Sequence, residues 1–534
     1  MGDTATGGRT DADCDVLVIG GGLVGLTTAM FLAQQDVRTI VVERHEAIKV
    51  LPKARNLSIR TMELFREAGI EDVVRAAGDV ENLVGIGDTL AGEYERVFRP
   101  ADVADPEGQS PVGPASCEQY RLEPIVRRHC EELGATVLFG HRAVTIAQHE
   151  DSVTVDVLPT GGTGATSFVA RYLVVADGAN GTFRQVLGIG RHGQPYPGTG
   201  LSIQFEADLA PALGSRDITA FLSPERDALI FLRGRARDYH LLALPPRVEL
   251  DGVNIDSSGA QAIPFINAVL GVDNIDIDVV GTGVWHTGSY IADRYRAGRA
   301  FLVGDAAHIN SPHGGYGANT GIAEAHNLAW KIAAVLRGDA KDALLDTYET
   351  ERKPIAEHTV LEVREMARKG GYIGEGNPGP VNVTLGFRYP AAGATGYDPL
   401  SPVQDPTASY GEPGTRVPHV ELIGDITSTL DLVDPCGFTL LAPESSVYAA
   451  ALHKDPLPGV GARTIAEEQV IDKARWHRIF PTPEHGALLV RPDGVVAARF
   501  ESAAAAPRQA VEQSKARVLR PSHLKQTGQG KRTI

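Results

Sequence analysis

Cysteine is scarce, with four residues (Cys14, Cys117, Cys130 and Cys436) in a chain of 534. That is too few for a disulfide scaffold, and none is paired at metal-ligand spacing, so a reducing cytosol is the default compartment. Aromatic residues make up only 6%. Basic residues are outnumbered, 51 against 67 acidic, for a formal charge of −16. A nucleic-acid binder needs clustered Lys and Arg on its surface, and this balance argues against one. The one basic excess lies at the end of the chain (Lys515, Arg517, Arg520, Lys525, Lys531, Arg532) and reads as a flexible, solvated tail over 511–534. No apolar run approaches the ~18 residues that span a bilayer. The opening segment MGDTATGGRTDADCD has no basic-then-apolar signal pattern. Secreted mini-proteins, membrane proteins, collagen-like chains and disordered chains are all excluded.

What is present is an ordinary globular mix, with 43% hydrophobic and 22% charged residues, enriched in glycine at 59 positions. The length allows about three domains at ~150 residues each. Cys14–Ile19 is a short apolar run ending at glycines and reads as a buried parallel strand. A helix from about Val24 to Gln35 and a strand over Arg38–Glu43 complete a β-α-β unit. Helical spacing recurs over Ser58–Ala68, stopped by Gly69, and over Glu118–Leu133. Thr136–Phe139 reads as a strand, and Ser152–Leu158 and Phe168–Val175 as two strands joined by a glycine-rich turn at Gly161–Thr166. Between 190 and 290 the pattern changes. Leu201, Ile203, Phe205 and Ala207 alternate with polar residues, and Ala228–Leu232 and His240–Leu244 follow as strand candidates, so this reads as an inserted β-rich domain. Phe221, Phe231 and Tyr239 in it read as core rather than as a pocket lining. The αβ pattern resumes at Leu302–Gly304, and a long helix is expected from about Gly321 to Arg337. Residues 371–417 are rich in Gly and Pro and read as a linker. A small αβ domain is expected over 418–510.

Three glycine-bearing turns carry the chemistry. The first is Gly20-Gly21-Gly22-Leu23-Val24-Gly25, a G-x-G-x-x-G that follows a strand, opens a helix and is followed by Glu43 at the end of the next strand. Gly20 permits the tight turn, Gly22 admits a pyrophosphate against the backbone, and Gly25 lets helix and strand pack closely. The helix start attracts phosphate, and Glu43 can accept ribose hydroxyls. The second is Asp177-Gly178 within VVADGANG, followed by Arg184; alone it is a common turn. The third is GRAFLVGDAAH, ending in Gly304-Asp305 and His308, then Pro312-His313-Gly314-Gly315-Tyr316-Gly317-Ala318-Asn319. Here a strand delivers Asp305 to a polyol hydroxyl, glycines let backbone lie flat on a planar ring, and a helix start near Asn319 would stabilise negative charge on that ring. His308 reads as a packing or hydrogen-bonding residue of the turn rather than a base.

This set, with NLSIRTMELFREAGI, NTGIAEAHNLAWKIAAVLRG and LLDTYETERKPIA, resembles the FAD-dependent aromatic hydroxylases, single-component flavoprotein monooxygenases of the para-hydroxybenzoate hydroxylase fold, over roughly residues 13–365. DLVDPCGFTLLAPE and GALLVRPDGVVAAR are similar to the thioredoxin-like C-terminal domain of the larger members, among them the phenol, aklavinone and angucycline hydroxylases. The absence of C-x-x-C removes dithiol chemistry from that domain. The resemblance implies an α/β fold in which a discontinuous Rossmann-like FAD-binding domain (13–189 and 291–370) carries an inserted β-sheet substrate domain (190–290) and a thioredoxin-like domain.

It also implies roles for particular residues. Gly20, Gly22, Leu23, Val24 and Gly25 would cradle FAD, with Glu43 and Arg44 at its adenosine end and Gln119 in contact with it. Asp177 and Gly178 would serve FAD and, transiently, NADPH. Gly304 and Asp305 would bind the ribityl chain or pyrophosphate. Gly315, Gly317, Ala318 and Asn319 would line the isoalloxazine with Pro312. Arg55 matches an arginine near the flavin; it either favours anionic states of flavin or substrate or is a structural arginine. Pro312 and Arg55 are the two candidates beside the reacting centre, and no metal is implied. Tyr316, Ala318 and His313 depart from the residues most relatives carry beside the ring, and Glu324 replaces a usual Asp.

The chemistry implied is reduction of FAD by NADPH, formation of a flavin C4a-hydroperoxide with O2, and attack by an electron-rich aromatic polyketide. No second strand–GxGxxG–helix unit is present for the second dinucleotide. Three outcomes stay open: hydroxylation; the same flavin used for Baeyer–Villiger insertion, ring cleavage or rearrangement; and a reductase or redox-silent flavoprotein. The chain would act as a monomer or a homodimer.

Overall fold

The computed structural model describes residues 12–48, 55–78, 83–98, 108–196, 199–233, 238–247, 260–286, 288–311, 313–368, 379–391 and 398–521. Its first sheet is built around Cys14–Ile19, where Val16, Leu17 and Val18 are fully buried. A strand covered on both faces needs an unbroken apolar run, and this one has it. It pairs in parallel with Thr39–Glu43 on one side and Thr166–Val175 on the other, and Ala300–Leu302 continues the sheet in parallel. Leu23–Gln34 is the expected helix between the first two strands. Val153–Pro159 folds back on Thr166–Val175 as an antiparallel hairpin, as the glycine turn predicted. A further strand, His141–Gln148, was not legible, because its mostly exposed residues (HRAVTIAQ) carry no apolar run.

The inserted sheet has seven strands. Thr199–Ala207 lies between Asp238–Arg247 and Ile277–Trp285, with Leu201, Ile203, Phe205 and Ala207 buried on one face as the alternation required. The sheet also recruits two strands from well before residue 190. Val84–Gly87 runs parallel to Ala220–Ser223, and Tyr94–Phe98 pairs outside it. The sequence VGIG is too short and too glycine-rich to announce a strand. Phe221 is core, as expected; Phe231 is half-buried, and the side chain of Tyr239 lies outside the described residues.

The C-terminal unit is a four-stranded mixed, thioredoxin-like sheet. Phe438–Pro443 pairs in parallel with Val460–Ile465, and Ala487–Val490 lies antiparallel to Phe438–Pro443 and Val496–Phe500. Two expectations are corrected here. The tail is helical from Pro507 to Leu519, with Val511 and Leu519 buried in a core that the unit shares with Trp330, Ala334 and Leu344, and Lys515 donating to the Pro458 carbonyl. Its apolar residues are few but spaced eight apart, which puts them on one face. The segment proposed as a linker is packed where it is described. Phe387, Tyr389 and Val417 are buried, and Arg388 bridges to Thr415.

The long helix runs Tyr316–Leu336. It starts five residues before the sequence expectation, because the second half of the glycine motif forms its first turn. Its middle is locked to the C-terminal unit by buried charge. Glu351 accepts two bonds from Arg491 (2.8 and 2.9 Å), one from Lys331 (2.7 Å) and one from Asn327 (2.8 Å). Asp493 pairs with Arg491 and accepts from Asn327 at 3.0 Å, and Arg60 donates to the Asp493 carbonyl. Two cations, Lys331 and Arg491, face two anions, Glu351 and Asp493, so the charge is balanced where solvent is excluded.

Candidate functional site

The three glycine turns converge. Gly20 (φ +109°) lies so close to the second turn that a Cβ there would fall 2.3 Å from the Ala176 carbonyl oxygen and 3.2 Å from the Asp177 nitrogen. A Cβ on Gly25 would fall 1.9 Å from the Gly20 oxygen. Gly304 packs on Val24 of the first helix, so closely that a Cβ there would fall 3.1 Å from the Val24 methyl groups. Gly22 is different. Added bulk there would meet only Glu123 Oε1 at 3.8 Å, so its glycine leaves open space rather than filling a contact. The helix that Gly22 caps has no side-chain cap and no acid in its first turn. An open cradle at an uncapped helix start suits the phosphates of a dinucleotide.

Glu43 stands where the motif requires. It accepts from the Gly21 N–H at 2.8 Å and the His45 N–H at 2.9 Å, and it contacts the His45 ring. Gln119 donates to Glu123 Oε1 at 2.6 Å, which places that pair beside Gly22. Glu123 was missed, although its i+4 spacing from Gln119 puts both on one helix face and could have found it. Asp177 is half-buried, and desolvation pushes its carboxyl above the usual range against the pull of backbone N–H groups and the Arg44 charge. Its Oδ2 accepts from the Phe183 N–H at 3.2 Å, while Oδ1 is buried with no partner. Asp305 is exposed, and its Oδ1 lies 3.9 Å from the Cβ position of Gly317 in the first turn of the long helix. The orphaned Asp177 oxygen, the open Gly22 cradle and an exposed carboxylate at a strand end fit the donor and acceptor pattern of FAD.

Beneath the third turn lies a fully buried pair. His308 Nε2 contacts both carboxylate oxygens of Glu324 (3.0 and 3.1 Å), and Glu324 also accepts from the Gly304 N–H at 2.9 Å. Burial works against charge on His308, but Glu324 outweighs it, so the imidazole titrates above its ordinary value. His308 is thus the hydrogen-bonding residue that the turn suggested, and the departure at Glu324 gives the carboxylate that holds it.

Other residues turn out to brace the site. The Asn319 side chain is saturated: it accepts from Ser58 N–H (2.8 Å) and Thr61 hydroxyl (2.6 Å) and donates to the Asn56 and Gly315 carbonyls (2.9 and 2.7 Å). It joins two helix starts, so its amide is not available to line a ring. Tyr316 is buried with Val363, Met366 and Val383. Gly315 caps the long helix at φ +69°, and Ala318 packs on the main core. Arg55 is buried at the seam between the first sheet and the inserted one. It donates to Ser116 Oγ (2.8 Å) and the Thr219 carbonyl (3.1 Å) and lies 5.0 Å over the Phe231 ring. Pro312 and the side chain of His313 lie outside the described residues.

The chain matches the FAD binding domain family over residues 13–363 and the aromatic-ring hydroxylase C-terminal family over 410–521. An aklavinone 12-hydroxylase of Streptomyces purpurascens is 35% identical, over 95% of this chain and 99% of its own. A tetracenomycin B2 monooxygenase-dioxygenase of Streptomyces olivaceus is 34% identical, over 94% and 98%. A crystal structure of aklavinone-11 hydroxylase with FAD and aklavinone superposes with a TM-score of 0.84 at 34% identity, covering 96% of this chain and all of that one.

Proposed function

From the premise that the chain belongs to the FAD-dependent aromatic-ring hydroxylases, we propose that it is a single-component monooxygenase that consumes NAD(P)H and O2 to hydroxylate a polycyclic aromatic polyketide. Bound FAD supplies the redox chemistry and the activation of oxygen. Overall, a substrate C–H, O2, NADPH and a proton give C–OH, NADP+ and water. The close packing of Gly20 against Ala176–Asp177 and of Gly304 against Val24, which brings the three glycine turns together, is the observation that carries this reading.

The protein's own residues bind, orient and exclude water. The Gly22 cradle and Glu43 hold the adenosine and phosphate end, with Arg44 and the Gln119–Glu123 pair alongside. Asp305 takes ribityl or phosphate oxygens. Gly315 and Gly317 present backbone to the ring at the start of the long helix, where the helix field favours negative charge on a reduced flavin. Arg55 fixes the inserted sheet, one wall of the substrate cavity, against the flavin domain. No nucleophilic side chain is needed.

Purified protein should be yellow. Incubation with NADPH, O2 and a panel of polycyclic phenols and quinones should give a product 16 mass units heavier. The absence of flavin after reconstitution, or NADPH oxidation without oxygen incorporation across the panel, overturns the reading. The monooxygenase-dioxygenase relative favours a second outcome on the same flavin, oxidative rearrangement or ring cleavage. Product mass and the position of labelled oxygen separate it from simple hydroxylation.

A further inference from the structure

The third glycine turn is gripped from beneath by one side chain. From Phe301 to His308 only Asp305 is exposed. Glu324, on the long helix, takes both ends of the turn at once. The Gly304 N–H, just before Asp305, donates to it at 2.9 Å, and the His308 ring, just after, lies 3.0 and 3.1 Å from its two oxygens. The turn is closed on itself where the Ala307 N–H donates to the Gly304 carbonyl at 2.8 Å. Gly321 brings the helix against it, since a Cβ there would fall 3.0 Å from the Gly304 Cα. On the other side the Ala292 N–H donates to the Ala307 carbonyl at 2.7 Å, which ties the turn to the strand Gly288–Ala292. The side chains of Glu324 and His308 are fully buried, so they reach a ligand only through the turn they hold.

The pair also fixes the charge behind the turn. His308 faces Glu324 on the long helix, Asp305 in its own turn and Arg352 from the helix Asp346–Arg368. Tyr290, Arg191 and Arg184 border it from the neighbouring strands and the short helix Phe183–Val186. Arg352 is occupied by the Tyr389 hydroxyl, to which it donates at 2.9 Å. The buried phenols Tyr295 and Tyr348, which also face Glu324, titrate well above 10. Burial opposes charge on His308; Glu324 overrides it, with Asp305 adding to its pull and Arg352 working against it. While His308 carries its proton it balances the Glu324 carboxylate. When the proton leaves, the ground beneath the turn becomes one charge more negative, and a coenzyme with a pyrophosphate is held less well there.

We propose that Glu324 is the positioning residue of the third turn: by gripping Gly304 and His308 together it presents Asp305 to the coenzyme, and the charge of the pair tunes how tightly FAD is held. This rests on the monooxygenase reading for the identity of the coenzyme.

The test is the dissociation constant of FAD, followed by flavin fluorescence on full-length protein between about pH 6 and 9. Glu324→Gln keeps the shape of the side chain without its charge, Glu324→Asp keeps the charge, and His308→Asn removes the imidazole. Across this range the affinity of the parent should fall by about tenfold more than that of Glu324→Gln or His308→Asn, and Glu324→Asp should recover at least part of the difference. His45, which contacts Glu43 at the first turn, is the same in all four proteins, so the difference between profiles is what is read. Should Glu324→Gln fail to fold, His308→Asn carries the comparison. Parallel profiles in the parent and the uncharged variants, or a Glu324→Asp profile no different from that of Glu324→Gln, overturn the proposal and leave the monooxygenase reading intact. A parent protein that takes up no FAD at any pH overturns both.

Discussion

Single residues decide how the site titrates and how tightly it holds its coenzyme. Glu43 already orders the Gly21 N–H of the glycine turn and the His45 N–H beside its own strand. Glu43→Ala should weaken FAD binding roughly ten- to a hundredfold, the range expected for one or two bonds to a charged group, by flavin fluorescence titration. His308 offers a pH test. Its folded value lies above the ordinary 6.5, so its pairing with Glu324 contributes stability that is fully present below about pH 6.5 and is lost as pH rises through the higher folded value. Melting temperatures should decline over that window, and Glu324→Gln should remove this component. A variant with an unaltered pH profile would refute the assignment. Ser58 caps the helix Ile59–Glu67 by accepting from the Thr61 N–H. Ser58→Ala should cost about 0.5–2 kcal/mol in denaturant unfolding.

At the scale of elements, the long helix is held at both ends of its task. Its first turn faces Asp305, and its middle is tied through Asn327 and Lys331 to Glu351, Arg491 and Asp493. Removing one partner of such a buried set strands the other charges, so Arg491→Ala should destabilise the protein by about 3–5 kcal/mol, read from urea unfolding. The elements that were legible beforehand share a cause. Cys14–Ile19 and Leu23–Gln34 announce themselves because a strand buried on both faces is continuously apolar, and because G-x-G-x-x-G has few other uses in that setting. Val84–Gly87 stayed hidden because its partner is 136 residues away (Ala220 pairs with Val84), and register over such a distance leaves no local trace. The Pro507–Leu519 helix was obscured by its basic residues, which drew attention from two buried apolar positions. Within the site, the glycine motifs pointed to turns that lie together in the fold, but the sequence could not show that Asn319 spends all its hydrogen bonds internally or that Tyr316 turns toward Met366. Those facts depend on neighbours far along the chain.

For the whole molecule, coenzyme and fold are linked. A ligand bound only by the native state stabilises it by about 2.7 kcal/mol at a hundred times its dissociation constant. Stripping FAD should therefore lower the melting temperature, and restoring it should recover the loss in proportion to the logarithm of added FAD. A flat response would count against FAD as the resident ligand. Among the described residues no helix is long and apolar enough to cross a membrane.

The Arg491–Gly494 hairpin turn bears on how such enzymes can be recombined. Because its charges are matched by residues on two helices of another unit, a chimera joined near residue 410 would import one half of an ionic lock without its counterpart. Exchanges between relatives should succeed only when Asn327, Lys331 and Glu351 travel with the turn they hold, which makes those helices and that hairpin one heritable piece despite their distance along the polypeptide.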